Sequence, residues 1–362
     1  MKNFLTGILM LSMVSMACGQ NKTMDFEKYN PPSTLVVPEH KITKAKFPFI
    51  DIHNHQWQMG SQELSGLISD MDKLNLAVMN NLSGGNGAGL EKMIQNIKGH
   101  YPNRFTVFAN IDFDGIGEDR WTEKAVKQLE EDVHHGASGL KIFKDLGLRI
   151  KDNKGQRVAV DDPRLDAIWE KCHELKIPVL IHAADPKPFW DPVDDQNERW
   201  LELVTHPERK YSTGNFAPWQ QIIMEEHRMF RSHPQTTFIN AHFGWYANDL
   251  TKLSALMDSL PNMYVEFGAV IAEIGRQPKM ARKFFEKYQD RILFGKDSWV
   301  PEEYYTYFRV LETDDEYFPY HKKYHAFWRM YGMGLPDSIL KKIYYKNALK
   351  ILPNVDASRF PN

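Results

Sequence analysis

A chain of 362 residues with 45 Lys and Arg against 47 Asp and Glu carries a net charge of only −2, which excludes the basic excess of a typical nucleic-acid binder. Hydrophobic residues at 42% and charged residues at 25% are ordinary for a globular protein, and the length suits one large domain or two small ones. Nine Trp within an aromatic content of 12% point to apolar anchors in the core and in loops over a pocket.

The chain opens with Lys2 and a short apolar run, Leu5 to Ala17, which reads as a secretory signal peptide rather than a membrane span. Its end, Ser15-Met16-Ala17-Cys18, resembles a lipoprotein cleavage box, with Ser15 where Leu is usual. The expectation is export to the cell envelope or periplasm, removal of residues 1–17 and lipidation at Cys18, the only membrane attachment foreseen. Residues 18–46, polar and interrupted by Pro31, Pro32 and Pro38, read as a tether or surface arm. After processing only Cys172 remains, so no internal disulfide is expected, and its spacing with Leu165, Ile168, Trp169 and Leu175 places it in a helix core.

From Phe47 onward, short apolar strands alternate with amphipathic helices. The strands are Phe49–His53, Ala77–Leu82, Phe105–Ile111, Gly139–Phe143, Pro178–His182, Thr237–His242, Met263–Phe267 and Arg291–Gly295. Between them, Glu123–His135 stops at Gly136, and Asp249–Leu260 is ended by Pro261. Eight alternations predict one α/β domain over residues 47–362, a (β/α)8 TIM barrel rather than an open doubly wound sheet. Long stretches after the fifth and eighth strands, 183–216 and 298–331, would rise from the C-terminal rim, where such barrels build active sites.

The chemistry-bearing residues gather at the same rim. His53 and His55 are two apart at the end of the first strand, so both imidazoles face the barrel mouth. His182 ends the fifth strand, His242 the sixth, and Asp297 follows the eighth. Imidazoles with one carboxylate suit zinc, and also manganese, iron or nickel. Lys141 in the fourth strand would be a barrel-interior cation, with Lys144 competing for the inward place. Trp190, Trp200, Trp245 and Trp299 lie in or beside the rim loops and offer aromatic walls; Trp245 and Trp299 are taken as substrate contacts with Lys141. Arg199 and Arg276 rank low as carboxylate clamps.

This pattern resembles the amidohydrolase superfamily, in particular the branch holding aromatic-acid decarboxylases and sugar-lactone hydrolases. The run Asn240-Ala241-His242-Phe243-Gly244-Trp245 is similar to its His-x-Gly signature, and Ile343 to Leu349 to its closing Asn-Ala helix. The resemblance implies a divalent metal, zinc first and manganese second, on His53, His55, His182 and Asp297. It further implies Asp297 as proton acceptor and His242 as the group that polarises the substrate or works as acid–base. Gln56-Trp57-Gln58 after the His pair and Lys296 before Asp297 depart from the pattern. In relatives a lysine at the Lys141 strand either bridges two metals as a carbamate or binds a substrate carboxylate.

The leading expectation is hydrolysis of a small ester, lactone or amide by metal-activated water. Its rivals are non-oxidative decarboxylation or hydration of a small carboxylic acid, and a lipid-anchored binding protein without turnover. The partners expected are a small-molecule substrate, no nucleic acid, and further copies of the chain.

Overall fold

Every residue of Phe49–Asn54 is buried, as a strand covered on both faces requires, and the same holds for Leu76–Asn81. These strands, β1 and β2, pair in parallel, and β2 pairs with β3, Phe105–Val107. Phe108 interrupts one stave of the barrel. Its N–H bonds Asn81 O, while the next residue opens β4, Ala109–Asn110, whose Ala109 N–H bonds Gly139 O. Parallel pairing then runs unbroken through β5 (Leu140–Ile142), β6 (Val179–Ile181), β7 (Phe238–Asn240), β8 (Met263–Glu266) and β9 (Ile292–Leu293). The ring closes where Ile52 N–H bonds Phe294 O at 2.9 Å and Asp297 N–H bonds His53 O at 2.7 Å. Counting β3 and β4 as one stave gives the eight of a (β/α)8 barrel.

This computed structural model describes residues 24–25, 28–212, 214–323, 325 and 327–361. The described residues fall into two units divided after Thr34, and the barrel is the second. The expected leader and Cys18 lie outside the described residues, among which no helix is long and apolar enough to cross a membrane. Leu35 to Lys46, read from sequence as part of the arm, belongs to the barrel unit. Ala45 N–H bonds Leu74 O, and His40 is tied to Asp315.

The seam between first and last staves is packed with rings: Phe49 lies 4.7 Å from Phe294, 5.4 Å from Phe308 and 5.9 Å from Tyr344. Burying each such side chain stabilises the closure by about 1.5–3 kcal/mol. The helix Trp121–His135 ends at Gly136, whose φ of 117° only glycine adopts readily, as the sequence predicts. Asp249 caps Leu250–Ser259 by accepting from Lys252 N–H. Cys172 is fully buried among apolar side chains, in its expected core place.

Both long rim stretches carry structure of their own. The first holds the short helix Trp200–Thr205; the second holds the helix Pro301–Glu312 and a hairpin of β10 (Phe318–Pro319) and β11 (Arg329–Met330).

Candidate metal centre

The barrel closure places His53 and Asp297 side by side, because the Asp297 N–H is bonded to the His53 carbonyl. His53 Nε2 and His55 Nε2 each lie 3.5 Å from Asp297 Oδ1. Ligand atoms of these three residues fall within 4.8 Å of one another. His182 stands further along the rim beside His242, with His182 Nδ1 3.3 Å from His242 Nε2 and His182 Nε2 3.5 Å from Asp185 Oδ1. The barrel thus assembles all five sequence-predicted residues, His53, His55 and Asp297 forming the tightest group.

The hydrogen bonds decide which nitrogen each imidazole offers. His53 Nδ1 donates to Glu266 Oε1 at 2.8 Å, since a carboxylate only accepts. That leaves Nε2 with its lone pair, buried and without a partner among the described residues. His55 Nδ1 is engaged by Ser83 Oγ at 2.7 Å, leaving its Nε2 toward Asp297. His242 Nδ1 donates to Gly268 O at 2.7 Å, so its Nε2 must accept, and the proton between the two rings sits on His182 Nδ1. His182 Nε2 is then unprotonated like His53 Nε2, and it too lacks a hydrogen-bond partner among the described residues. His53 and His182 thus offer Nε2 lone pairs, and His55 does so where Ser83 accepts from its Nδ1; with the Asp297 carboxylate these are donor types suited to a divalent ion, and the ligand atoms of His53, His55 and Asp297 are the ones that cluster.

Electrostatics agree with an acceptor-only site. Burial, with Lys141 next, keeps His53 well below its ordinary range and His55 down to about 4, so both are neutral near pH 7. Burial would raise Asp297, but the four imidazoles, His53 foremost, outweigh it and hold the carboxyl well below its usual range. Asp297 is about a third exposed and adopts φ 84°, a conformation costly for a residue with a Cβ. His242, Phe243 and Trp245 share that left-handed region with Gly244, a sharp turn that swings His242 off the end of β7 toward His182. Sequence alternation expected the strand to carry His242 directly; the turn does so instead.

Glu266 is the residue sequence reasoning missed. It ends β8 with no exposed surface and accepts from His53 Nδ1, His242 N–H at 2.8 Å and Gly268 N–H at 2.6 Å. A lone carboxylate in the apolar strand Met-Tyr-Val-Glu-Phe was its only signal. Room for it comes from Gly295, where a methyl group would run into the Glu266 carboxylate.

The remaining predicted residues sort clearly. Lys141 takes the inward place: it is 1% exposed, its Nζ lies 5.3 Å from the Phe143 ring with no hydrogen-bond partner among the described residues, and burial pushes it down to about 7 against the pull of Asp297 and Glu266. Lys144 stays at the rim, paired with Asp185 at 2.7 Å. Trp245 packs 5.4 Å from His182 and 4.6 Å from His242 and walls the cavity over the site. Trp299 packs on Tyr304 at 5.5 Å and is not among the described walls of that cavity. Trp190 stacks on Tyr211. Arg199 is buried between Glu202 and Glu273, and Arg276 pairs with Glu198, so each has carboxylates of the protein itself. Trp57, flagged only as a departure, is 69% exposed and lies nearly parallel to His55 at 5.8 Å, a lip on the mouth.

A parallel eight-stave barrel with histidines and an aspartate at its C-terminal rim defines the class of metal-site TIM-barrel enzymes. The chain belongs to the amidohydrolase family: the family model described as Amidohydrolase matches residues 50–353. No curated protein matches the chain significantly in sequence. Among solved structures, a 2,6-dihydroxybenzoate decarboxylase complexed with 2,6-dihydroxybenzoate superposes at TM-score 0.55 and 14% identity, over 84% of this chain and 99% of that one. A dihydroxybenzoic acid decarboxylase from a Polaromonas species, holding manganese and the inhibitor 2-nitroresorcinol, does so at 0.55 and 14%, over 86% and 99%. A TIM-barrel protein from Bordetella bronchiseptica is similar at 0.51 and 15%, over 84% and 97%. At these identities the likeness is one of fold.

Proposed function

We propose that the chain is a metal-dependent enzyme acting on a small carboxylic acid by lyase chemistry, non-oxidative decarboxylation or the addition or removal of water. The observation that carries this reading is a ligand-sized, charge-lined cavity over the donor set. The space above His182, His242 and Asp297 is about 410 Å³, and its walls set Lys144, Arg149, Arg199, Arg209 and Lys322 against Asp185, Glu202, Glu208 and Asp297, with Lys144 paired to Asp185 and Arg149 to Asp145. Lys141 adds a buried cation electrostatically coupled to Asp297. Lys322, which makes no ion pair among the described residues, offers a substrate carboxylate a partner that a neutral ester would not use. Two decarboxylases with the same fold, one holding manganese, support the reading.

The donor set suits zinc or manganese on His53, His55, His182 and Asp297, and the ion would supply Lewis-acid polarisation of a substrate oxygen. The protein's own residues do the rest. Lys322 in the wall orients the carboxylate, and Lys141, buried and not among the cavity's described walls, acts on it electrostatically. Trp245 gives the substrate a flat apolar wall beside His182. Asp297, partly exposed at the cavity floor, moves a proton to or from the reacting carbon or water. His242, held by Gly268 and the left-handed turn, keeps His182 in the tautomer that leaves Nε2 free.

The test is a panel of hydroxylated aryl acids and unsaturated dicarboxylic acids, with zinc- or manganese-loaded protein, reading CO₂ release and loss of the conjugated chromophore. Turnover that disappears in Asp297→Asn supports the reading. Inertness toward every acid, beside turnover of neutral lactones or esters, would overturn it in favour of the hydrolase. One feature favours that second reading: Asp297 touches two imidazoles while a third of it faces the cavity, a suitable place for a base acting on water. Export and lipidation at Cys18 are proposed with it on the sequence pattern alone, and an uncleaved Met1 in the mature protein would sink that part.

A further inference from the structure

Asp185 stands three residues past His182, and the backbone is bent to put it there. Ala184, just before it, adopts φ 57°, a left-handed conformation costly for a residue with a Cβ. Asp297 and His242 share that region at their own strand ends. The Trp219 indole N–H bonds the Asp185 carbonyl at 2.8 Å and holds the bend. The Asp185 side chain lines the cavity over the site, and its two oxygens are used differently. Oδ2 accepts from Lys144 Nζ at 2.7 Å and from the Tyr211 hydroxyl at 2.5 Å. Oδ1 makes no hydrogen bond among the described residues and lies 3.5 Å from His182 Nε2.

That contact sets two acceptors face to face. His242 keeps the shared proton on His182 Nδ1, so His182 Nε2 carries a lone pair, and a carboxylate oxygen accepts without donating. At this distance the two repel, and a cation between them turns repulsion into coordination. A carboxylate in the outer layer takes the proton of Nδ1, as Glu266 does for His53. Asp185 instead faces the other nitrogen, the one left for an ion. The spacing agrees: two donors each about 2.1 Å from one zinc, at the tetrahedral angle, lie about 3.4 Å apart. The same 3.5 Å separates Asp297 Oδ1 from His53 Nε2 and from His55 Nε2. His182 belongs to no group of three ligand atoms within 4.8 Å of one another among the described residues, and the carboxylate within its reach is that of Asp185. An ion binds closer than a water molecule approaches, so the gap between Nε2 and Oδ1 needs no room for water.

Charge sets the strength of such a bond. Of the cations in the cavity walls, Lys144 pairs with Asp185, while Arg149, Arg199 and Arg209 pair with other carboxylates. Lys322 pairs with none among the described residues. Shared with Lys144, Asp185 is a weaker ligand than Asp297, and Lys141, which acts on His182 electrostatically, opposes the ion further. With the imidazoles neutral, Asp185 and Asp297 together still bring the two negative charges that match a divalent ion.

We propose that Asp185 is a metal ligand, sharing with His182 the ion of the centre, so that the protein supplies a second carboxylate beside Asp297. The inference rests on the metal-site reading above and concerns which donors hold the ion, whichever reaction follows.

The test is a crystal structure of the full mature chain loaded with zinc or manganese, the ion located by anomalous scattering, beside metal titration of metal-stripped wild type and Asp185→Ala. The expected structure has an ion about 2.0–2.2 Å from both Asp185 Oδ1 and His182 Nε2. In Asp185→Ala the affinity falls by at least about tenfold, and the cobalt(II)-loaded variant differs from wild type in its visible absorption because one ligand is lost. An ion on His182 with Asp185 Oδ1 more than about 3 Å from it overturns the assignment. So does an unchanged cobalt spectrum in Asp185→Ala, even beside weaker binding, since a residue that positions His182 leaves the ligand set as it was. Should Asp185→Ala fail to fold, the wild-type crystal structure decides alone. An ion held by His53, His55 and Asp297 without His182 defeats the four-residue ligand set as well, whereas an ion on His182 but not on Asp185 defeats this assignment and leaves that set standing.

Discussion

Replacing Glu266 by Gln tests whether the metal centre is set from its outer layer. The side chain keeps its size, so the buried strand end is not emptied. The carboxylate, however, accepts three hydrogen bonds, from His53 Nδ1, His242 N–H and Gly268 N–H, and an amide can serve only one side of that fork. With its oxygen toward His53, the new NH₂ group meets the Gly268 N–H, two donors face to face in a dry site. With the amide reversed, it meets His53 and His242 instead. Either way a buried donor goes unsatisfied, at about 1–3 kcal/mol, and in the reversed arrangement His53 also loses the partner that fixes Nε2 toward Asp297. Outer-layer changes of this kind weaken metal affinity by about 10–100-fold, or roughly 1.4–2.7 kcal/mol. The assay is competition for zinc or manganese between metal-stripped protein and a chelator of known strength, beside thermal melts with and without metal. The expected result is a folded variant whose affinity falls by at least tenfold and whose metal-dependent gain in melting temperature shrinks. An affinity within twofold of wild type, in a variant with unchanged circular dichroism, would refute the claim that Glu266 holds His53 for the ion.

Lys141→Met removes a buried amine with no hydrogen-bond partner among the described residues. Unfolding in urea is expected to show a variant as stable as wild type or more so, by about 1 kcal/mol or more, while kcat/KM for an acid substrate falls at least tenfold; a large loss of stability would mean that Lys141 is held by contacts other than its charge. Gly295→Ala forces a methyl group against the Glu266 carboxylate, so metal affinity should fall as in Glu266→Gln, with a stability loss of about 1–3 kcal/mol from overpacking; unaltered metal binding would count against it. The metal-free protein should lose stability as pH falls from 6.5 to about 4, because the unfolded chain takes up a proton that the buried His55 resists until about 4. That residue alone contributes roughly 3 kcal/mol of loss, complete by pH 4 and absent above 6.5; a melting temperature flat across this window, or the same slope in His55→Phe, would contradict it.

How far the sequence carried the site follows from the periodicity of strands. His53 and His55 could be placed because side chains alternate along a strand, and each Cβ direction follows from the register alone. Asp297 and His182 lie just past strand ends, where the fold class rather than local pattern says they converge. Glu266 could not be found in this way, since its role depends on three donors brought to it by β1, the turn after β7 and its own strand end. The left-handed path from His242 to Trp245 was equally hidden, because only Gly244 among those four residues has the usual preference for such backbone. Arg199 failed as a clamp for a similar reason: its carboxylate partners come from the helix Trp200–Thr205 and from Glu273, more than seventy residues away.

The same contrast explains how a site of neutral imidazoles can exist in the core. An unliganded histidine cluster at a buried rim would normally be costly, and the strained φ of Asp297 and His242 adds about 1–3 kcal/mol each. The structure offsets these costs by giving every imidazole a fixed acceptor or hydroxyl at Nδ1 before any ion arrives: Glu266, Ser83, Gly268 and, through His242, the link to His182. The bonds to Glu266 and Gly268 set tautomers that leave Nε2 as the open atom on His53 and, through His242, on His182, while the Ser83 hydroxyl accommodates either tautomer of His55. An incoming ion therefore meets lone pairs already aimed, with little side-chain freedom left to lose, and its binding free energy returns as stability of the same strand ends that hold it. On this argument the affinity of the centre lies as much in Glu266, Ser83 and the turn at His242 as in the ligands themselves.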